Sequence, residues 1–127
     1  MNAIDSSVLV ALLNEADKHH SKAFEMLKGT DVEKILLLDY VYIEVMNVLK
    51  RKYSIDLCHK FTEFLKFWNI KIVMKKFEEI KLANIIFMEK NNLSFEDCLL
   101  IAGALSRNAG LMTFDEELKD AWNKLKK

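Results

Sequence analysis

Ile35-Leu36-Leu37-Leu38 is an unbroken run of four apolar residues, bounded by Glu33-Lys34 before it and Asp39 after it. So short a run offers no polar face to water, as expected of a strand buried on both faces of a parallel sheet. The rest of the chain alternates around it. Asn2–Ile4 makes a very short strand, and Asp5-Ser6-Ser7 opens a helix through Asn14. Asp17 begins a second helix with Ala23, Phe24 and Leu27 on one face, stopped at Gly29. Beyond Leu38, Asp39 to Tyr42 leads into a helix through about Lys52, and a further helix spans about Ile55–Trp68. Lys71–Met74 alternates towards a strand, and Phe77–Lys90 is amphipathic through Ile80, Ala83, Ile86 and Phe87. A helix over about Phe95–Asn108, closed by Ala109-Gly110, precedes a strand at Leu111–Thr113 and a final helix carrying Leu118, Trp122 and Leu125. Short strands alternating with helices predict an α/β domain with a mostly parallel sheet.

The 127 residues suit one domain with one sizeable core. Charged residues make up 30%, balanced to a formal net charge of zero. That balance argues against holding nucleic acid by bulk electrostatics, but not against an acidic site flanked by local basic patches. Cys58 and Cys98 are far apart and form no CxxC pair, so neither a disulfide framework nor a zinc ribbon is expected. This suggests a reducing, cytoplasmic setting. No apolar run approaches the roughly 18 residues that span a membrane. Asp5 occupies ground where a secretory leader would carry a basic residue.

One helix carries a charge in an awkward place. Ser94–Leu105 is apolar nearly all round, and at roughly 100° per residue Asp97 projects between Ile101 and Ala104. Glu96, Gly103, Ser106 and Arg107 fall on the polar arc almost opposite. An inward carboxylate is costly unless something pairs with it or binds it. Ligands of open parallel sheets bind at the carboxyl ends of strands, beside helix N-termini. Asp5 directly follows the first strand, and Asp115 lies two residues past Thr113 at the end of the last one. Asp97 opens a helix at the same edge, and Glu44 comes early in the helix after the second strand. Four carboxylates from distant segments thus meet at one edge, where they repel and raise one another's pKa values. Mg²⁺ or Mn²⁺, which prefer oxygen ligands and keep several waters, would resolve the repulsion. Such a site suits hydrolysis of a phosphodiester and needs no nucleophilic side chain.

Four stretches carry a resemblance. They are Ile4-Asp5-Ser6-Ser7-Val8-Leu9-Val10, Glu44-Val45-Met46-Asn47-Val48-Leu49, Ser94-Phe95-Glu96-Asp97 and Leu111-Met112-Thr113-Phe114-Asp115. In order, spacing and context the chain resembles a PIN-domain ribonuclease, most of all the small toxins of the VapC type. The resemblance implies a three-layer α/β/α sandwich with a short central sheet of four strands, or five where a further edge strand forms. It implies metal-dependent endonucleolytic cleavage of RNA, a homodimer and, for toxins, a cognate antitoxin protein. Asp5, Glu44, Asp97 and Asp115 match the family's acidic quartet, and Ser6 and Thr113 match its accessory polar positions. Many relatives continue into a fifth strand after the last acidic motif. Here Glu116–Lys126 contains no β-like run, which leaves that strand and its support for Asp115 in doubt.

Each residue also has a plainer reading. Ser94 and Asp97 form a capping box; Asp5 and Asp115 can be helix caps; Glu44 can be a solvated flank residue. Asp39 also follows a strand and is read as a helix cap. His19 and His20 point about 100° apart on a helix, cannot share a metal, and are expected at the surface. Cys98 reads as core packing. Lys50-Arg51-Lys52 is either a solvated helix end or a contact to RNA phosphates. Phe61, Phe64, Phe67 and Trp68 exceed what one core face needs, so part of that set suits a dimer or antitoxin surface. The rival functions are a non-catalytic PIN-like module binding RNA or protein, and a housekeeping RNA-processing nuclease. A haloacid-dehalogenase-type phosphatase wants a second aspartate where Ser7 stands, and a dinucleotide-binding fold lacks its glycine-rich loop here.

Overall fold

The computed structural model describes residues 1–126. Four parallel strands, β1 (Asn2–Ile4), β2 (Ile35–Leu38), β3 (Ile72–Val73) and β4 (Gly110–Met112), form a sheet in the order β3-β2-β1-β4. Seven α-helices flank it: α1 (Ser6–Leu13), α2 (His20–Lys28), α3 (Asp39–Val48), α4 (Ile55–Phe67), α5 (Phe77–Phe87), α6 (Phe95–Ser106) and α7 (Glu116–Leu125). Among the described residues there is no fifth strand. From β1 the chain steps to β2 and then β3, after which it crosses back to place β4 on the far side of β1. Right-handed crossovers put helices made on the outward path on one face and those of the return path on the other. The reversal leaves a crevice between the carboxyl ends of β1 and β4.

Side-chain alternation along the strands separates the layers. Ile4, Ile35 and Leu37 meet Leu9, Leu27, Phe64 and Leu65 from α1, α2 and α4. Leu38, pointing the other way, meets α6 at Gly103. A Cβ there would stand 2.8 Å from Leu38 Cδ1 and 3.3 Å from the Tyr40 hydroxyl, so only glycine lets the helix approach so closely. That hydroxyl is buried without a hydrogen-bond partner among the described residues. Burial, reinforced by the charges of Glu79 and Asp39, pushes the phenol far above its usual range.

The helix ends depart from expectation in an instructive way. α6 stops at Asn108, in the left-handed region at φ 52°, with the Ala109 N–H donating to the Ala104 carbonyl at 2.8 Å. Asn69 ends α4 likewise, with the Ile70 N–H donating to Leu65. Asparagine tolerates this conformation at a helix stop. Gly110 instead begins β4, where a Cβ would lie 2.5 Å from Asn2 Oδ1. α3 runs on through Leu49–Tyr53 in π-helical form, so the basic residues Lys50, Arg51 and Lys52 sit on a wider, underwound turn.

The polar arc of α6 has a partner: Ser106, itself exposed, and the half-buried Arg107 close on Glu79 of α5, which is 1% exposed. Glu79 accepts from Arg107 Nε at 2.9 Å, Arg107 Nη2 at 3.1 Å, Ser106 Oγ at 2.6 Å and the Lys76 N–H at 2.9 Å. Asp39 is no cap, because it lies inside the first turn of α3 and pairs with Lys75 Nζ at 3.0 Å. His19 and His20 are half-buried rather than at the surface, and α2 starts at His20 instead of Asp17.

Candidate active site

Asp5 emerges from β1 into the crevice beside β4, its N–H still donating to the Met112 carbonyl at 2.9 Å. Its carboxylate is buried, and Oδ2 accepts from Thr113 Oγ1 at 2.6 Å and Ser7 Oγ at 2.8 Å. Those hydroxyls in turn accept the next amides of the β4–α7 turn: Asp115 N–H onto Thr113 at 3.0 Å and Phe114 N–H onto Ser7 at 3.0 Å. The two halves of the crevice are thereby laced together around one carboxylate oxygen.

Asp97 is half-buried at the start of α6, with Oδ2 taking the Ser94 N–H at 3.3 Å while Ser94 Oγ takes the Asp97 N–H at 3.1 Å. The capping box therefore exists. Asp115 caps α7 through Oδ1, which accepts from the amides of Glu117 at 3.0 Å and Leu118 at 3.3 Å. Asp5, Asp97 and Asp115 thus each spend a single oxygen on holding themselves in place. Among the described residues the sister oxygen of each accepts no hydrogen bond.

Charge couples the four acids. Burial raises the Asp97 pKa, and the carboxylates of Asp5 and Asp115 raise it further against the hydrogen bonds from Ser94. Glu44 is pushed up to about 7, first by burial, then by the charges of Glu96 and Asp5, with the Ser6 hydroxyl opposing. Among the described residues, the ion pairs involve Glu63, Asp39, Glu79 and Glu116, so no lysine, arginine or histidine neutralises this cluster.

The folded state therefore binds the Glu44 proton more tightly than the unfolded chain does. Stability from this group is complete below its ordinary value of 4.5 and declines as pH rises to about 7. Thermal melts in chelator are expected to fall across that window, and Glu44→Gln to flatten the decline and melt higher at neutral pH. A glutamine variant that melts lower at pH 7.5 would count against this coupling.

All four sequence-selected acids meet at the edge. Ser6 lies beside Glu44, whereas the hydroxyl that holds Asp5 from α1 is that of Ser7, a residue the motif comparison passed over. Glu96 was also missed, because angular projection put it on the opposite arc. Cβ atoms in a helix lean towards its N-terminus, which carries the first-turn Glu96 towards the helix entry, where its charge is felt by Glu44. Among the described residues no three of the ligand-type side chains close into a ready-made metal cage. A divalent ion that keeps most of its waters requires only one or two direct carboxylates. An open, oxygen-only, uncompensated donor set with free oxygens fits such an ion.

The family model described as "PIN domain" matches residues 3–123. The chain belongs to the PIN-domain family. Solved structures agree in fold. This PIN domain superposes on VapC20 of Mycobacterium tuberculosis, a sarcin-ricin loop cleaving toxin, with TM-score 0.83 at 16% identity over 95% of each chain. FitAcB from Neisseria gonorrhoeae gives 0.76 at 14%, covering 97% of this chain and 94% of that one. VapBC2 from Rickettsia felis, crystallised with a DNA fragment from its promoter, gives 0.68 at 19%, covering 94% and 91%. At such identities the likeness is one of fold. Among curated proteins the sequence has no significant match. Among the described residues no helix is long and apolar enough to cross a membrane.

Proposed function

We propose that this PIN domain, a single domain over residues 1–127, is a metal-dependent endoribonuclease that hydrolyses RNA phosphodiester bonds as the toxin of a type II toxin–antitoxin pair. The observation that carries the reading is the carboxylate cluster of Asp5, Glu44, Asp97 and Asp115, mutually repelling and without a cation among the described residues. These four residues would hold Mg²⁺ or Mn²⁺. When bound, the ion polarises the phosphoryl group and lowers the pKa of the attacking water.

The remaining work belongs to the chain. Ser7 and Thr113 orient the Asp5 carboxylate, Ser94 orients Asp97, and the first amides of α7 orient Asp115. Thr113 acts as an accessory hydroxyl, donating to the Asp5 carboxylate, and Ser6 is placed beside Glu44 as the second accessory hydroxyl. Such supporting bonds hold reacting groups in register before substrate arrives. Asn47, Lys50 and Arg51 bound an open cleft of about 530 Å³ beyond Glu44 on the same helical rod. Lys50, Arg51 and Lys52 are all exposed there, suited to RNA phosphates.

The fold it shares with VapC20 supports the toxin role, and the likeness to VapBC2 supports a paired antitoxin. The exposed Phe67 and Trp68 suit a homodimer or antitoxin contact in the cytoplasm. The test is incubation with a panel of structured and single-stranded RNAs, with Mg²⁺ or with chelator. Internal cleavage is expected only with the metal. Binding without cleavage across the panel would instead make the protein a non-catalytic RNA-binding module.

A further inference from the structure

The α1–α2 turn reaches the acidic edge from the side and brings an aromatic pair with it. The His19 and Phe114 rings stack with centroids 4.6 Å apart and planes inclined by 20°. Phe114 stands between Thr113 and Asp115. Its N–H donates to Ser7 Oγ, which donates onward to Asp5 Oδ2. The stack is thus two hydrogen bonds from one acid and one residue from another.

The turn is held without the ring. The His19 N–H donates to Asp17 Oδ1 at 2.8 Å, the His20 ring bonds the Ala11 carbonyl at 2.8 Å, and the Ala16 N–H donates to Asn14 Oδ1 at 3.2 Å. Phe114 is fixed by its own amide. Both rings are only half-buried, so part of the pair remains open to solvent beside the carboxylates.

We propose that His19, backed by Phe114, is the platform on which an unpaired RNA base stacks next to the scissile phosphate. The inference rests on the endoribonuclease reading and names the kind of RNA it takes: single-stranded at the cut. With a net charge of zero the protein has no bulk attraction for RNA, so beyond the local basic run and the cation held by the acids the strand needs contacts to its bases. Stacking supplies such a contact. Unstacked bases of loops and single strands are commonly held on histidine and other aromatic rings. Because every base has a π-face, the platform positions the strand without reading its sequence.

The test uses short single-stranded oligoribonucleotides that the wild type cuts, with one abasic nucleotide walked across the cleavage site. His19→Ala is expected to raise KM about 10-fold with kcat little changed, the pattern of lost binding common to ground and transition states. One abasic position should impose a similar loss on the wild type and none further on His19→Ala. His19→Phe should restore both the affinity and the sensitivity to that position. Equal losses by His19→Ala on intact and abasic RNA, unrescued by phenylalanine, would mean that the ring only braces the turn and would overturn the proposal. An unchanged KM in His19→Ala would overturn it as well, with the nuclease reading intact. A wild type that cuts no RNA removes the nuclease reading first, and is recognised before any variant is made.

Discussion

Asp5→Asn is expected to lower Mg²⁺-dependent RNA cleavage about 10³-fold, roughly 4 kcal/mol of transition-state stabilisation, while the protein stays folded. The size follows from position. Asp5 is the buried member of the quartet, at the crevice between β1 and β4, and its charge is felt by both Glu44 and Asp97. Asparagine keeps a carbonyl oxygen for the hydroxyls of Ser7 and Thr113, so the lacing of the two turns survives. It also removes one of several mutually repelling charges, so the melting temperature should hold or rise in chelator. Asp97→Asn should behave alike, since the side-chain oxygen of its capping box is retained. Single-turnover cleavage and parallel thermal melts make the check. Wild-type rates in both variants would remove the acids from the chemistry.

Arg107→Ala is expected to cost about 3–5 kcal/mol of folding stability, because it strands a charge rather than merely deleting a contact. For a chain of this length that corresponds to a melting temperature lower by about 10–20 °C. Burial pushes the Glu79 pKa up, but the guanidinium, the Ser106 hydroxyl and the Lys76 amide together hold it below its ordinary value of 4.5. In the native protein Glu79 therefore contributes stability above pH 4.5, lost as pH falls through its lower folded value. Without Arg107, burial prevails and the slope reverses, so the variant should be least deficient in mild acid. Urea unfolding from pH 4 to pH 8 reads both effects. A loss below about 1 kcal/mol at neutral pH would show the pair to be solvated. RNA cleavage per folded molecule should not change, since Glu79 and Arg107 lie on α5 and at the end of α6, away from the acids.

How much of this was legible beforehand depended on the range of the interaction. The run Ile35–Leu38 marked β2 to the residue because continuous apolarity is a local property. Asp5 and Asp115 could be placed because each adjoins a strand end, and the alternation of elements puts strand ends on one edge. The helix stops were misjudged at Gly110, where glycine serves a close approach to Asn2 while Asn108 makes the turn. Ser7 and Glu96 were passed over for another reason. The bond from Ser7 to the Phe114 amide spans 107 residues, and no periodicity encodes a partner that distant. Ser106 and Arg107 fell on the polar arc of their helix, and nothing local shows that this arc meets an acid. Only the docking of α5 on α6 gathers them around the buried Glu79 carboxylate.

The strand order has a consequence for the protein's own synthesis. β1 is the first strand made and lies inside the sheet, yet one of its two neighbours, β4, is not made until residues 110–112. A nascent chain can pair β1 with β2 early, but the hydroxyl lacing of Asp5 needs Thr113, and the fourth acid is Asp115. Until almost the whole domain has left the ribosome, the growing polypeptide carries Asp5, Glu44 and Asp97 without the frame that makes them a site. On the proposed endoribonuclease reading, the chain is expected to stay inert until Asp115 has emerged, and a copy truncated before Thr113 to show no metal-dependent cleavage.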